Sequence, residues 1–402
     1  KKYKIKATTP TLKLDKSSWG VGDLKTEVTL DVDNENFALF DAVAMAKKRG
    51  YIELSSGDTL IVPTGYFTKL ERLIHKEKGE TKISFFDLPQ IEEMLQDKQK
   101  NTLFDSSRAL YEGFNTLDTN NTTLPSLKAT LRPYQAYGFS WLKYLYDNHI
   151  GACLADDMGL GKTLQTIALL SHITPKATKP ILVVLPKSLL YNWQKELEKF
   201  APDLAVTLYY GANRDYHTTM QNPLILTSYA MVRNDIALFQ ETQFDTVILD
   251  ESQAIKNFSA QITKAILLLQ AEHRIALSGT PVENSLSELF VLFKFLNPSM
   301  FHSAEAFNQN YLNPIQKEQD PQALDSLKRK IYPFILRRLK TDVAKDLPAK
   351  TEQILYVEMS ETQAELYERR RTYYENMLAQ EKSKQSKKSE TSEDSKSKGN
   401  DK

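Results

Sequence analysis

Five short apolar runs, each parted from the next by a helical pattern, constrain the fold of this chain more than any other feature. They are ILVVL (181–185), VTLYY (206–210), LILTS (224–228), TVILD (246–250) and RIALS (274–278). Between and around them, residues fall at i, i+3, i+4 and i+7: Leu164, Ile167, Ala168 and Ser171; Ile262, Ala265, Ile266 and Leu269; Leu286, Leu289, Phe290 and Phe293. Buried apolar strands alternating with amphipathic helices make an α/β architecture, a mostly parallel sheet covered on both faces. Ligands bind such sheets at the carboxyl ends of the strands. The polar residues that close these runs are therefore where chemistry is expected.

This zone occupies roughly residues 128–350. The stretch before it, 1–120, reads as a small α+β accessory module. EVTLDVD alternates like a strand, FALFDAVAMAKKRG reads as a helix ended by Gly50, and YIELSSGDTLIVP as two strands around a Ser-Gly-Asp turn. Polar helical stretches are predicted over 66–114, and linker composition marks 121–130. A strand and helix are expected over 351–380. Residues 381–402 hold no apolar side chain and are expected to lack order.

Composition removes several function classes. Lys and Arg number 52 against 51 Asp and Glu, for a net charge of +1, which excludes a histone-like binder by bulk charge. The single cysteine, Cys153, permits no internal disulfide and no cysteine-built zinc site, and reads as a small core residue. The six histidines show no metal-ligand spacing. No run approaches the roughly eighteen apolar residues of a membrane span, and the start lacks a signal-peptide core. A soluble protein of a reducing, cytoplasmic compartment is expected. The missing initiator methionine and the polar end suggest a piece of a longer chain.

The chemistry begins in GACLADDMGLGKTLQTIALL. Gly159, Leu160, Gly161, Lys162 and Thr163 open a helix, so backbone N–H groups and the helix dipole favour an anion. Lys162 is placed to reach the β- and γ-phosphates of a nucleotide, and Thr163 to hold Mg²⁺. The strict pattern of such loops has glycine where Asp156 stands. VILDESQ ends a strand with Asp250 and Glu251, suited to hold the metal and to orient the attacking water, respectively. LSGTPVEN sets Ser278, Gly279 and Thr280 between a strand and a helix capped by Asn284 or Ser285, where small hydroxyls can sense a γ-phosphate. Taken singly, each motif also fits an ordinary turn or cap.

Together, LRPYQAYGFSWL, ADDMGLGKT, VVLPKSLLYNWQKELEKF, LTSYAMVRND, ILDESQAIKN, LSGTPVENSLSELFVLFKFLNP and FILRRLKTDVAKDLPAKTE resemble, in order, the Swi/Snf-type ATPases, double-stranded DNA translocases of helicase superfamily two. The likeness covers roughly 131–352 and implies one RecA-like lobe of the P-loop NTPase kind; the DESQ spelling and the preceding module look like the bacterial branch, with a site in the cytoplasm or nucleoid.

The resemblance implies further roles. Gln135 would read the adenine edge, with Asp157, Met158 and the loop through Leu164 around the phosphates. Gln253 stands where many relatives carry histidine, so its partner is open, and with Ser278, Gly279 and Thr280 it would couple the nucleotide to the rest of the motor. An aspartate at 156 is common in this family. Lys187 and Ser188, then Thr227, Ser228 and Tyr229, match segments that touch the DNA backbone; hydroxyls and amides there carry no base information. Arg337 and Arg338 lie in a basic stretch, 329–350, suited to a DNA or interlobe contact. Trp193 has the helical spacing of a core residue with Leu189, Leu197 and Phe200. Other DNA-associated proteins are possible partners. A second lobe bearing an arginine finger is absent from this stretch, so the chain alone is expected to hydrolyse ATP very slowly. A strand-separating DNA or RNA helicase and a non-enzymatic, ATP-gated interaction module stay open as alternatives.

Overall fold

The computed structural model describes residues 5–7, 9–20, 22–32, 34–95, 102–117, 124–280, 285–343 and 357–394. Contacts divide the chain into one unit spanning Lys1–Lys345 and a second spanning Asp346–Lys402.

The first unit opens on four strands, of which the last three pair antiparallel. β1 (Ile5–Ala7), β2 (Thr11–Trp19), β3 (Asp23–Val32) and β4 (Glu35–Ala38) precede a helix, Leu39–Arg49. Alternation in β3 buries Leu24, Val28, Leu30 and Val32 on one face. The helix ends at Gly50, whose φ of 78° is the left-handed cap that glycine adopts without strain. β5 (Ile52–Glu53) and β6 (Thr59–Ile61) form the expected hairpin, and β1 joins β6 in parallel.

The helical reading of 66–114 needs correction. The helix Thr64–Leu73 stops at a second hairpin, β7 (Ile74–Glu77) and β8 (Glu80–Ser84), and helix resumes chiefly at Asp105–Asn115. Lys78 and Gly79 turn it with φ of 51° and 86°. Two successive left-handed residues match the twist of a tight hairpin, but Lys-Gly lacks the Asn or Asp that signals one. β8 pairs with β3, completing the sheet β2-β3-β8-β7 with β4 on β3.

The second sheet is the larger. β9 (Ala152–Leu154), β10 (Ile181–Leu185), β11 (Val206–Tyr209), β12 (Leu224–Ser228), β13 (Gln243–Leu249), β14 (Gln270–Leu277) and β15 (Ile335–Leu336) lie in the order β11-β12-β10-β13-β14-β9-β15. Every pairing in it is parallel. All residues of β10 and β12 are buried, as the unbroken apolar runs require. The short β9 and β15 went unread in the sequence. The helices Pro133–Asp147, Lys162–Ile173, Leu190–Phe200 and Leu286–Leu296 cover the faces with Phe139, Ile167, Trp193 and Phe293. Ser285 caps the last of these by accepting from Ser287 N; Asn284 lies outside the described residues.

Register fixes where the strands stop. Val184 pairs with Leu249, Leu249 with Ala276, and Ala276 with Cys153. The chain segments after β9, β10, β13 and β14 therefore leave the sheet at one level and on one edge.

The module expected over 1–120 is not separate from this lobe. Phe334, fully buried, is ringed by Phe86 at 5.2 Å and by Tyr111 and Phe114 at 6.2 Å between centroids. Lys330 Nζ donates to Asp87 Oδ2 at 2.7 Å with both side chains out of water. Arg72 pairs with Asp320, and Arg329 with Glu93. Burial raises the Asp87 carboxyl to about 6, against the pull of Lys330.

In the second unit, one helix runs Glu361–Asp394, thirty-four residues. It continues through 381–394, where no order was expected; 395–402 lie outside the described residues. Lys, Glu and Gln rank among the better helix formers, and Arg371 pairs with Glu368 and Glu375 one turn away on either side. A helix needs no apolar core to close its own backbone bonds.

Breaking the buried pair with Lys330→Met should cost about 3–5 kcal/mol at neutral pH in denaturant unfolding. The loss should shrink on acidification as Asp87 takes up a proton. A second titration acts with the opposite sign. The rings of His75 and His302 meet across the same junction, 3.9 Å between centroids and tilted by 51°. Burial, with Lys330 near, depresses His75 to about 4 and His302 to about 3. Below about 6.5 the unfolded chain binds protons that the folded one refuses, so this contribution is lost as pH falls from there toward 4. His75→Phe/His302→Phe should flatten the fall of melting temperature between pH 7 and 5.

Candidate nucleotide site

The loop that follows β9 is built around glycine geometry. Gly159 and Gly161 take φ of 84° and 77°, where a side chain is strained. A methyl on Gly161 would also lie 2.5 Å from Gln135 Nε2. The loop enters the helix Lys162–Ile173, whose first residues, Lys162 to Leu164, line the cleft and whose first N–H groups have no partner within the helix. Lys162 folds back, its Nζ donating to Asp156 O at 2.7 Å. That bond holds the ammonium at the loop by an oxygen that an arriving phosphate can replace.

Asp250 follows β13 on the same edge. Its Oδ2 accepts from Trp193 Nε1 at 2.7 Å and its Oδ1 from the Glu251 amide at 2.9 Å. Tyr229 Oη donates to the Asp250 carbonyl at 2.7 Å. Burial raises the Asp250 carboxyl above its ordinary range, while Trp193 and the amide oppose that rise. Each carboxylate oxygen keeps a lone pair for a metal. Glu251 sits at φ 48°, a left-handed conformation that a non-glycine residue holds only under constraint.

Lys162, Thr163, Asp250 and Glu251, together with Met158 and Gly159, line one cleft of about 430 Å³. Its volume is in the range of small-ligand sites. Leu164 and Gly161 also border it. The Leu160 side chain is buried instead, and its carbonyl accepts from Gln135 Nε2 at 3.2 Å. Gln135 Oε1 accepts from the Arg132 amide at 2.9 Å. Gln135 is buried and is not among the residues that line the cleft. The Asp157 carboxylate turns away from the cleft, accepting the Lys340 amide at 3.0 Å.

Gln253 finds its partners here. Its Nε2 donates to Glu251 Oε2 at 2.6 Å, and its Oε1 accepts from Ser278 Oγ at 3.2 Å. Ser278 Oγ in turn accepts from the Thr280 amide at 3.0 Å. A continuous chain of hydrogen bonds links the glutamate to the segment after β14. Gly279 lies against Met158 of the phosphate loop.

The helical spacing of Trp193 predicts a core residue, and it is 1% exposed. That spacing gives no sign that its indole nitrogen holds Asp250. Glu196, one turn on, also lines the cleft, and burial raises its carboxyl. The i, i+3 relation of Trp193 and Glu196 was the available signal.

Residues 134–399 match the family model described as the SNF2-related domain. The chain belongs to this family. Over 253 residues it is 45% identical to the putative ATP-dependent helicase/translocase YwqA of Bacillus subtilis, covering 61% of this chain and 27% of that protein. It is 37% identical over 270 residues to the TATA-binding protein-associated factor MOT1 of Saccharomyces cerevisiae, covering 60% and 14%. The SWI2/SNF2 ATPase core of Sulfolobus solfataricus in complex with dsDNA aligns at 41% identity and a TM-score of 0.53, over 61% of this chain and 53% of that one. The chain thus spans about a quarter of the Bacillus relative and half of the Sulfolobus core.

The SNF2-related lobe divides the residues expected to face DNA. Lys187, Ser188 and Arg337 are exposed. Thr227, Ser228 and Tyr229 are not: they are buried, and their hydroxyls are committed inside. Thr227 donates to Tyr209 O at 2.9 Å, Ser228 caps the helix Tyr229–Asn234, and Tyr229 supports Asp250. Arg338 also turns inward, onto Asp156. Strand-end hydroxyls in a fully buried strand serve the fold before they can reach a backbone phosphate. Away from the cleft, Asp245, Glu272 and His273 bring ligand-type atoms within 4.8 Å of one another, a grouping that spacing along the chain does not reveal. Tyr146 and Thr246 already engage Asp245, and Lys179 engages Glu272.

Binding of Mg-ATP should alter Trp193 emission, because its indole nitrogen holds the Asp250 carboxylate that lines the cleft. Trp193→Phe should abolish the change and leave the emission of Trp19 and Trp141. If Asp250 binds the metal, acid should end metal-dependent binding at a pH above that of an ordinary aspartate, since burial raises this carboxyl and only its ionised form attracts a cation.

Proposed function

We propose that this chain is the nucleotide-binding lobe of an ATP-driven translocase on double-stranded DNA. One observation carries the reading: Lys162 and Thr163 share a cleft with Asp250 and Glu251, although 87 residues separate Thr163 from Asp250 along the chain. An ammonium, a helix N-terminus and two carboxylates around one cavity suit a triphosphate with a divalent cation and little else.

In this reading Lys162 leaves the Asp156 carbonyl for the β- and γ-phosphates. Thr163 Oγ and Asp250 would hold Mg²⁺, which supplies charge neutralisation at the phosphates. Glu251 orients the attacking water. The relay through Gln253 to Ser278 and Thr280 reports whether Glu251 is engaged, so loss of the γ-phosphate reaches the surface beyond β14. Gln135, bonded to the phosphate loop at the Leu160 carbonyl, would read the adenine edge.

Duplex DNA as the track is supported by the likeness to the Sulfolobus ATPase core in complex with dsDNA and by the exposed Lys187, Ser188 and Arg337. Backbone contacts of this kind give affinity that falls steeply with salt and depends little on sequence. A bacterial setting is supported by the Bacillus relative, and a cytoplasmic one is part of the same proposal. Stepping along DNA belongs to the intact protein, of which this lobe holds one side of the cleft.

The test is Mg-ATP titration of the chain and of Lys162→Ala. Losing a hydrogen bond from a charged group costs about 1.5–3 kcal/mol, roughly 10- to 150-fold in affinity. Unchanged affinity would favour an interaction module without catalysis. In the intact protein, duplex DNA should stimulate ATP turnover more than RNA does, and forked duplexes should not be unwound efficiently.

A further inference from the structure

An aspartate stands where phosphate loops of the strict pattern have glycine, and an arginine expected to face DNA is turned inward. The two belong to one feature. The Asp156 side chain is fully buried. Its Oδ1 accepts from Arg338 Nε at 2.9 Å and from the Arg338 amide at 3.1 Å, and its Oδ2 pairs with Arg338 Nη2. The same guanidinium donates from Nη2 to Gln165 Oε1 at 2.7 Å and from Nη1 to the Tyr134 carbonyl, beside the Tyr134 ring. Gln165 closes the figure by donating to Asp156 Oδ2 at 3.2 Å.

Arg338 therefore ties together three parts of the nucleotide site. Tyr134 is next to Gln135 on the adenine-side helix, Asp156 begins the phosphate loop, and Gln165 lies in the helix that Lys162 opens. Backbone bonds fix the same strap to the loop. Ala155 N donates to Leu336 O at 2.7 Å, Asp157 N to Arg338 O at 3.0 Å, and Lys340 N to Asp157 Oδ2 at 3.0 Å. Gly138 leaves room for the junction: a methyl there would lie 1.8 Å from Gln165 Oε1 and 2.9 Å from Arg338 Nη2.

We propose that the strap Ile335–Lys340 sets the shape of the phosphate loop, with Arg338 as a positioning residue acting through Asp156. The aspartate replaces the glycine because the loop is braced from outside. Asp156 presents its carbonyl to Lys162 and its carboxylate to Arg338, so the lysine and the strap meet on one residue. Lysine cannot replace Arg338, because a single ammonium cannot serve three partners in a plane. Tension on the strap would act on the nucleotide cleft.

The proposal rests on the nucleotide reading, and its test separates the two. Mg-ATP affinity is measured by competition with a fluorescent ATP analogue, and amide hydrogen exchange is followed over 157–162. The chain is compared with Arg338→Met, Arg338→Lys, Asp156→Gly/Arg338→Met and Lys162→Ala. Removing both charges leaves no unpaired buried ion, so the double variant should fold with a melting temperature near wild type. It should bind Mg-ATP about tenfold more weakly and exchange the loop amides at least tenfold faster; Arg338→Lys should recover only part of either loss. A double variant with wild-type affinity and wild-type exchange overturns the proposal, since the pair would then serve stability alone. If the Arg338 variants do not fold, exchange in the unaltered chain decides: protection at 157–162 matching that of β9 supports the strap, and fast exchange there refutes it. Wild-type affinity in Lys162→Ala would overturn the nucleotide reading instead, while the exchange comparison would still judge the strap.

Discussion

Parallel pairing in register is the constraint on which the rest depends. Because Val184, Leu249, Ala276 and Cys153 stand side by side, the chain must leave four neighbouring strands at one level. The phosphate loop, Asp250 and Ser278 meet there without any long-range contact designed for them individually. The apolar runs secure this edge: burying β10 and β12 on both faces is the large favourable term, and a one-residue slip would disturb every polar exit together.

On that edge the polar groups hold one another before any ligand does. Trp193 and the Glu251 amide fix Asp250, Gln253 fixes Glu251, and the Asp156 carbonyl holds Lys162. Buried polar groups that are already oriented need little reorganisation when charge arrives. The replaceable bonds, Lys162 to a carbonyl above all, are the ones that a phosphate can take over. Two ion pairs among the described residues, each with a fully buried carboxylate, differ in what they hold. Near the cleft the charged pair Asp156–Arg338 braces a loop, whereas Lys330–Asp87 and the Phe334 cluster fasten the N-terminal strands to the lobe.

Much of this was legible in the sequence, for physical reasons. ILVVL and LILTS could only be doubly buried strands, and an Asp-Glu pair after VIL had to emerge on the edge where Gly-Lys-Thr begins its helix. What escaped depended on partners far apart in sequence. Nothing near Trp193 reveals Asp250, and nothing near Arg338 reveals Asp156, so an inward arginine read as a surface one. Thr227, Ser228 and Tyr229 look like donors until burial shows their hydroxyls already used. The hairpin at Lys78-Gly79 was hidden by a turn lacking Asn or Asp, and the helix through 381–394 by a composition that resembles disorder while favouring local helix.

The most direct measurement replaces Mg²⁺ with paramagnetic Mn²⁺ and follows backbone amide relaxation in the presence of ATP. A single cleft requires the amides of Gly161, Lys162 and Thr163 and those of Asp250 and Glu251 to broaden together, at the same Mn-ATP concentration. Broadening of one group without the other would mean that the loop and the carboxylates do not share a nucleotide, and the motor reading would fall with it.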